Sequence, residues 1–367
     1  MLMKRKDVIR NLDKPLFLSS LALAGAGFLA IYSATRGTGS EWSFASYAVR
    51  QLLWIGLGIL STILVLRIDY FKFQDWAWPI YFVSLFFLTA VLVTPARLGA
   101  HRWIPLGPFN FQPSELAKFS AVLALARFFA STRHEYCPHR KKIIPFLIVI
   151  IPFALIFKEP DLGSALVLIP VLLGMLYLWG VRLRIIVLFV ALALLASPVL
   201  FSLLKDYQKT RLLVFVNPSL DPLGAAYTII QSKIAIGSGC LWGKGFLAGS
   251  QTQLRFVPER HTDFIFSVFS EEWGFLGCAL LLILFWIVIQ RGFSIASQTH
   301  DRFGSSLAAG ISTLLAFQII VNLGMTMGLF PVVGMPLPFV SYGGSSIVVT
   351  FLCIGLLLNI RIHRPIF

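Results

Sequence analysis

Long apolar blocks alternate with short clusters of charge from one end of the chain to the other. A helix that crosses a bilayer needs roughly 17–25 predominantly apolar residues. Ten blocks approach that length: 15–34, 51–66, 76–94, 112–131, 143–157, 162–180, 185–204, 264–290, 304–330 and 345–360. The pattern predicts an all-α integral membrane protein with ten transmembrane helices and one long loop, 205–262, between the seventh and the eighth. Within that loop, residues 223–236 (LGAAYTIIQSKIAI) read as an amphipathic or half-buried helix followed by a glycine-rich stretch. The loop is too apolar for a disordered linker and is expected to lie on a membrane face. With no internal repeat and no second soluble domain, residues 1–367 read as a single membrane domain.

Composition agrees. The 367 residues are 57% hydrophobic and 13% charged, against about 45–50% and about 25% in soluble domains. Mean hydropathy is +0.82. These values exclude a disordered chain, a collagen, a coiled coil and a disulfide scaffold. A formal charge of +15 would otherwise point to nucleic acid; in a membrane protein, Lys and Arg fix orientation instead. With the N-terminus inside, the inner segments hold Lys4, Arg5, Lys6, Arg10, Lys14, Arg67, Lys72, Arg133, Arg140, Lys141, Lys142, Arg182, Arg184, Arg291, Arg302, Arg361 and Arg364. The short outer loops hold Arg36, Arg50, Arg97, Arg102 and Lys158. Both termini are therefore expected inside. The basic flank before residue 15 resembles a signal peptide, but the apolar run continues through Ile31, so an uncleaved anchor is expected. Of the four Cys, Cys240 alone is placed outside, so no disulfide is expected there.

Ionisable residues at membrane depth are costly and mark candidate sites. Glu115 and Lys118 follow Pro113 at helical spacing and share a face. They read either as an internal ion pair or as the wall of a polar cavity. Asp161 sits at the mouth of the sixth span, where it reads as a helix cap. Glu271 and Glu272 fall inside the eighth span, about 100° apart around the helix. Arg97 and Arg102 flank a loop whose guanidinium groups suit phosphate oxygens, or else anchor it among headgroups. Asp263 closes the long loop where the eighth span begins. A helix dipole would lower its pKa and burial would raise it.

Residues 237–245 (GSGCLWGKG) resemble a phosphate-binding loop but lack its first glycine position and its Ser or Thr. No HExxH, paired CxxC, Gly-x-Ser-x-Gly or Asp-x-Asp motif is present.

Phe256-Val257-Pro258-Glu259-Arg260-His261-Thr262-Asp263-Phe264-Ile265-Phe266, followed by Glu271-Glu272-Trp273-Gly274, resembles the signature of the SEDS family of cell-wall polymerases. Gln112-Pro113-Ser114-Glu115 with Lys118, Pro160-Asp161-Leu162-Gly163 and Pro338-Phe339-Val340-Ser341-Tyr342-Gly343-Gly344-Ser345 are similar to three more family motifs. The Pro-Glu-Arg-His-Thr-Asp form, the 249–254 segment (GSQTQL) and the short termini resemble the elongation branch.

The resemblance implies a multi-pass protein of the bacterial cytoplasmic (inner) membrane. Its activity would be a peptidoglycan glycosyltransferase that polymerises lipid II at the outer face and releases undecaprenyl pyrophosphate. The family's essential Asp falls on Asp263, read here as general base. Arg102, Lys118, Arg211 and Lys233, with Glu115, Asp161, Gln208 and Ser341, are the candidate substrate and pyrophosphate contacts. No cofactor is implied except a candidate divalent cation, Mg2+ or Mn2+. The implied partner is a class B penicillin-binding protein, a PBP2-type transpeptidase; its membrane helix is expected to dock on small residues of the ninth span (Gly304, Ser305, Ser306, Ala308, Ala309, Gly310, Ser312). A lipid II flippase and a non-catalytic scaffold of the cell-wall machinery would use the same fold, and both readings stay open here.

Overall fold

The computed structural model describes residues 12–36, 47–93, 102–106, 109–132, 138–195, 197–202, 206–224 and 226–363. Lys4, Arg5, Lys6, Arg10, Arg97, Arg133 and Arg364 lie outside the described residues. Each predicted span coincides with helix: α1 (Lys14–Thr35), α2 (Tyr47–Leu66), α3 (Tyr70–Val91), α4 (Pro113–Ser131), α5 (Ile144–Lys158), α6 (Leu162–Leu178), α7 (Leu183–Leu195) with α8 (Ser197–Ser202), α12 (Ile265–Gln298), α13 (Arg302–Thr326) and α14 (Gly344–His363). Among the described residues, α1, α2, α12, α13 and α14 are long and apolar enough to cross a membrane by length and composition. The long loop folds into three further helices, α9 (Asp206–Val216), α10 (Tyr227–Ser238) and α11 (Ser250–Gln253).

Local chemistry sets the helix starts. Asp13, Asp69, Asp161 and Asp301 each turn a carboxylate oxygen onto a free backbone N–H of the first turn, at α1, α3, α6 and α13 respectively. Pro15 and Pro113 occupy first-turn positions whose N–H needs no partner. The predicted ninth span stops four residues early, at Thr326. The chain turns at Met327 and Gly328, and Pro331 follows. The predicted seventh span is covered by α7 and α8 up to Ser202. Ahead of α4, Ile104–Leu106 (β1) pairs antiparallel with Phe109–Phe111 (β2) in the register Ile104 to Phe111.

The centre of the bundle is α4, α13 and α14. α4 is buried along almost its whole length, packs on α3, α5, α6, α13 and α14, and α14 also lies along α2. Outward-facing Leu183, Val187, Leu188 and Phe189 of α7 and Phe82 and Phe86 of α3 are exposed and apolar, as lipid-facing surfaces must be. Polar groups tie helices together inside. Asn359 of α14 donates to the carbonyls of Val65 and Ile68 at 2.5 Å each.

Most of the small residues of α13 face inward. Gly304, Ala308, Ala309, Gly310 and Ser312 are buried, Ser305 and Ser306 are half-buried, and a Cβ on Gly310 would meet Val122 of α4 and Met175 of α6. Small side chains here let three helices approach closely, so a bulky residue at Ala309 would strike the protein's own core rather than a partner.

The loops sort into two ends. Asp13 pairs with Arg291 of α12, and Arg361 donates to Gln298 of the same helix. The start of α1 and the end of α14 therefore share one end of the bundle. The opposite end gathers the 259–264 turn, the 331–343 segment, the β-hairpin and the 159–161 turn, joined by the hydrogen bonds described next.

Candidate active site

Asp263 sits in the turn between Val257 and α12, pinned by backbone contacts that leave its carboxylate unengaged. Asn322 of α13 donates to the Asp263 carbonyl at 3.0 Å and to the Met335 carbonyl at 2.6 Å. Ser341 donates to the Thr262 carbonyl at 2.6 Å and accepts from the Leu337 N–H at 2.8 Å; the Tyr342 N–H donates to the His261 carbonyl at 2.9 Å. Arg260 donates through Nε to Ala34 at the end of α1, at 2.7 Å. The His261 ring packs against Tyr47 and Tyr342, with centroids 4.7 and 5.9 Å away. Gly334 (φ 71) brings backbone alongside the acid, where a Cβ would stand 3.4 Å from Asp263 Oδ2.

Next to this turn is a small open pocket lined by Arg102, Gln208, Arg211, Pro160, Leu162, Leu212 and the 331–333 segment. Gln208 and Arg211 lie three residues apart on α9 and so share a face. Arg211 donates through Nη1 to the Val332 carbonyl at 3.4 Å. Arg102 donates through Nε to the Glu159 carbonyl at 3.2 Å and through Nη2 to the Pro160 carbonyl. The wall is tight: a Cβ on Gly163 would stand 2.6 Å from the Val333 oxygen.

The pocket and the acid are electrostatically one unit. Burial pushes the Asp263 carboxyl up to about 6; Glu259 and Asp161 add to that rise, and Arg211 and Arg102 oppose it. A carboxyl in that range ionises at neutral pH and is basic enough to accept a proton, as a general base requires. Burial also holds the His261 imidazole below its ordinary value, helped by Arg260 and opposed by Glu259.

Arg102, Gln208, Arg211 and Asp263 thus come together. The other five candidates take other roles. Glu115 and Lys118 form a buried ion pair at 2.7 Å on α4, within reach of Cys353 of α14, and neither lines the pocket nor acts on the Asp263 carboxyl. The one proton of the Ser341 hydroxyl is committed to the Thr262 carbonyl while its oxygen accepts from Leu337, so it positions Asp263 and has no donor to offer a phosphate. Lys233 lies exposed on α10 against the Gly328 turn, because its stem packs there and not toward the arginines. Asp161 is buried, caps α6 and accepts from Gln112 Nε2 at 3.4 Å; it reaches Asp263 through its field alone.

Glu271 and Glu272 also prove structural. Glu271 accepts from Lys244 (2.8 Å), from the Gln251 and Thr252 N–H groups (2.9 and 3.1 Å) and from the Thr252 hydroxyl (2.9 Å), which fastens α11 to α12. Glu272 accepts from Ser33 of α1. α12 breaks its helical geometry just beyond them, at Gly274. Among the described residues, no group of three or more His, Cys, Asp or Glu is placed to hold a metal ion.

Asn322 was not picked out by its sequence context, since a single Asn inside an apolar block carries no periodic signal. Asn322→Ala is expected to leave the Asp263 and Met335 carbonyls without their donor, at a cost of about 1–3 kcal/mol for a buried group left unpaired. Activity should fall more than the melting temperature does, because the turn loosens while the bundle persists. Equal activity in that variant would show that the tether is dispensable.

The family of cell cycle proteins described as FtsW/RodA/SpoVE matches residues 14–365. The chain is 40% identical over 358 residues to the peptidoglycan glycosyltransferase MrdB of Escherichia coli K12, covering 96% of this chain and 94% of that protein. A solved chain from a peptidoglycan synthase complex, described as coordinating polymerization and crosslinking, superposes with a TM-score of 0.80 at 32% identity, over 95% of this chain and 97% of that one. The rod shape determining protein RodA of Thermus thermophilus superposes with a TM-score of 0.71 at 30% identity, over 96% of this chain and 97% of that one.

Proposed function

Because the chain belongs to the FtsW/RodA/SpoVE family, we infer that it is a peptidoglycan glycosyltransferase that polymerises lipid II during cell elongation and releases undecaprenyl pyrophosphate. The observation that carries this reading is the joining of one raised-pKa carboxylate, Asp263, with two guanidinium groups, Arg102 and Arg211, at the same mouth of the bundle.

The chemistry follows from what each group can do. An acceptor sugar hydroxyl is a poor nucleophile until a base within about 2.6–3.2 Å takes its proton. Asp263 takes it. The donor is a lipid-linked pyrophosphate, whose leaving oxygen gains negative charge as the glycosidic bond breaks. Arg102 and Arg211 offset that charge, and Gln208 adds a neutral polar contact. A single displacement of this kind inverts the anomeric centre and needs one carboxylate.

Orientation follows from charge. Lys14, Arg67, Lys141, Arg182, Arg184, Arg291, Arg302 and Arg361 belong to the end opposite Asp263 in the charge pattern, so both termini face the cytoplasm and the pocket opens at the outer face of the inner membrane. A class B penicillin-binding protein is the partner; its contacts are to be sought on the lipid-facing helices and outer loops, given that Ala308, Ala309 and Gly310 of α13 are internal.

The test is purified full-length chain with labelled lipid II in detergent, with and without that partner. Glycan polymer with the chain alone or with the partner supports the reading. No polymer under either condition overturns it in favour of a flippase or scaffold, since flipping has no meaning in detergent.

A further inference from the structure

Glu159, at the C-terminal end of α5, has no part in the chemistry above, yet it is one of the most tightly enclosed acids among the described residues. It is 0% exposed, and neither carboxylate oxygen meets a hydrogen-bond partner. Its surroundings are specific. Arg102 is held by the carbonyls of Glu159 and Pro160, so the pocket's guanidinium is fixed to the backbone that carries this acid. The charged groups that act on the Glu159 side chain are Asp161 and Arg102, and the adjacent Lys158 is exposed.

A buried ionised carboxylate without donors is costly, and Asp161 beside it opposes a second negative charge. Burial, reinforced by Asp161 and opposed by Arg102, pushes Glu159 up to about 9. It therefore carries its proton at neutral pH. When it loses that proton to solvent base, the cation that acts on it is Arg102.

We propose that Glu159 is a positioning residue that controls the charge Arg102 offers to the pocket: neutral, it leaves the guanidinium whole for a pyrophosphate, and ionised, it neutralises Arg102 and draws it from the pocket. This rests on the reading of Arg102 as a pyrophosphate contact. A neutral acid so placed also keeps the 159–161 turn from presenting two adjacent negative charges to an anionic donor.

The experiment compares pH–rate profiles of lipid II polymerisation by the detergent-purified full chain, the Glu159→Gln and Glu159→Met variants, and Arg102→Ala, with melting curves for each. The unaltered chain should lose activity on the alkaline side mainly through a rise in KM for lipid II, and recover it on return to pH 7. Glu159→Gln and Glu159→Met should polymerise normally at pH 7 and lack that alkaline rise.

Stability supplies a second readout. In the unfolded chain this carboxyl ionises near its ordinary value of 4.5, whereas in the fold it holds its proton to about 9. Folding stability is therefore whole below the lower value and declines as pH rises toward the upper one. Glu159→Gln removes that decline, so it should melt higher than the unaltered chain at pH 8 and alike at pH 4.5.

The same alkaline fall in both Glu159 variants overturns the proposal, as does loss of activity at pH 7 in a Glu159→Gln chain that melts normally. An Arg102→Ala variant with unchanged KM overturns instead the pocket reading on which the proposal rests, so the two failures are distinguishable.

Discussion

Asp263→Asn is expected to polymerise lipid II about a hundredfold to ten-thousandfold more slowly than the unaltered chain, the range over which a positioned general base contributes. The fold should survive. The contacts that hold the turn run through the Asp263 and Thr262 carbonyls, to Asn322 and Ser341, and not through the carboxylate. The amide keeps the shape of the acid and loses only its basicity. The same argument fixes a pH dependence. The ionised carboxyl is the base, so kcat/KM should rise with pH through about 6, where burial, Glu259 and Asp161 have placed Asp263 against the pull of Arg211 and Arg102. Removing a cation that stabilises the carboxylate moves that acid limb to higher pH, as in Arg211→Ala. Removing the neighbouring negative charge, as in Glu259→Gln, moves it to lower pH. Opposite shifts in these two variants tie the limb to Asp263. A near-normal rate in Asp263→Asn, or an acid limb that neither variant moves, would end the assignment.

The lipid made much of this protein legible. Apolar blocks of helical length have few other uses, which is why every predicted span coincides with helix, and Asp161, read as a cap, does start α6. The features that escaped were those in which tertiary contacts decide. β1 and β2 are three residues each, too short for an alternating pattern. α9 mixes polar and apolar residues evenly, so it read as loop, although its turn of helix is what brings Gln208 and Arg211 to one face. A stripe of small residues on α13 is equally good for a partner and for a neighbouring helix, and only the positions of Val122 and Met175 decide between them. Charge alone also misleads. Lys233 and Arg211 both occupy the long loop, but helix phase sends one to the Gly328 turn and the other to the pocket. Asp161 drew attention through its motif, whereas Glu159, two residues earlier, is set apart by a burial that no local pattern records.

The buried pair on α4 should show the second large effect, and it should appear in stability. Lys118 Nζ lies 2.7 Å from Glu115 Oε1, with side chains 1% and 4% exposed. Each charge is tolerable because the other is there. Glu115→Ala or Lys118→Ala strands the remaining charge in the bundle core, at an expected cost of about 3–5 kcal/mol. The two losses should not add: the double alanine variant removes both charges and should melt well above the sum of the single effects. A volume-matched neutral pair, Glu115→Gln with Lys118→Met, should melt higher than either alanine single, because it leaves no buried charge unpaired. The exchange Glu115→Lys with Lys118→Glu should recover part of the loss and not all. Glu115 lies in the first turn of α4, where the helix dipole favours a negative group, and the exchange puts a positive one there. Melting temperatures of the detergent-purified variants decide the matter: strictly additive single effects would mean that the two side chains act independently despite their contact.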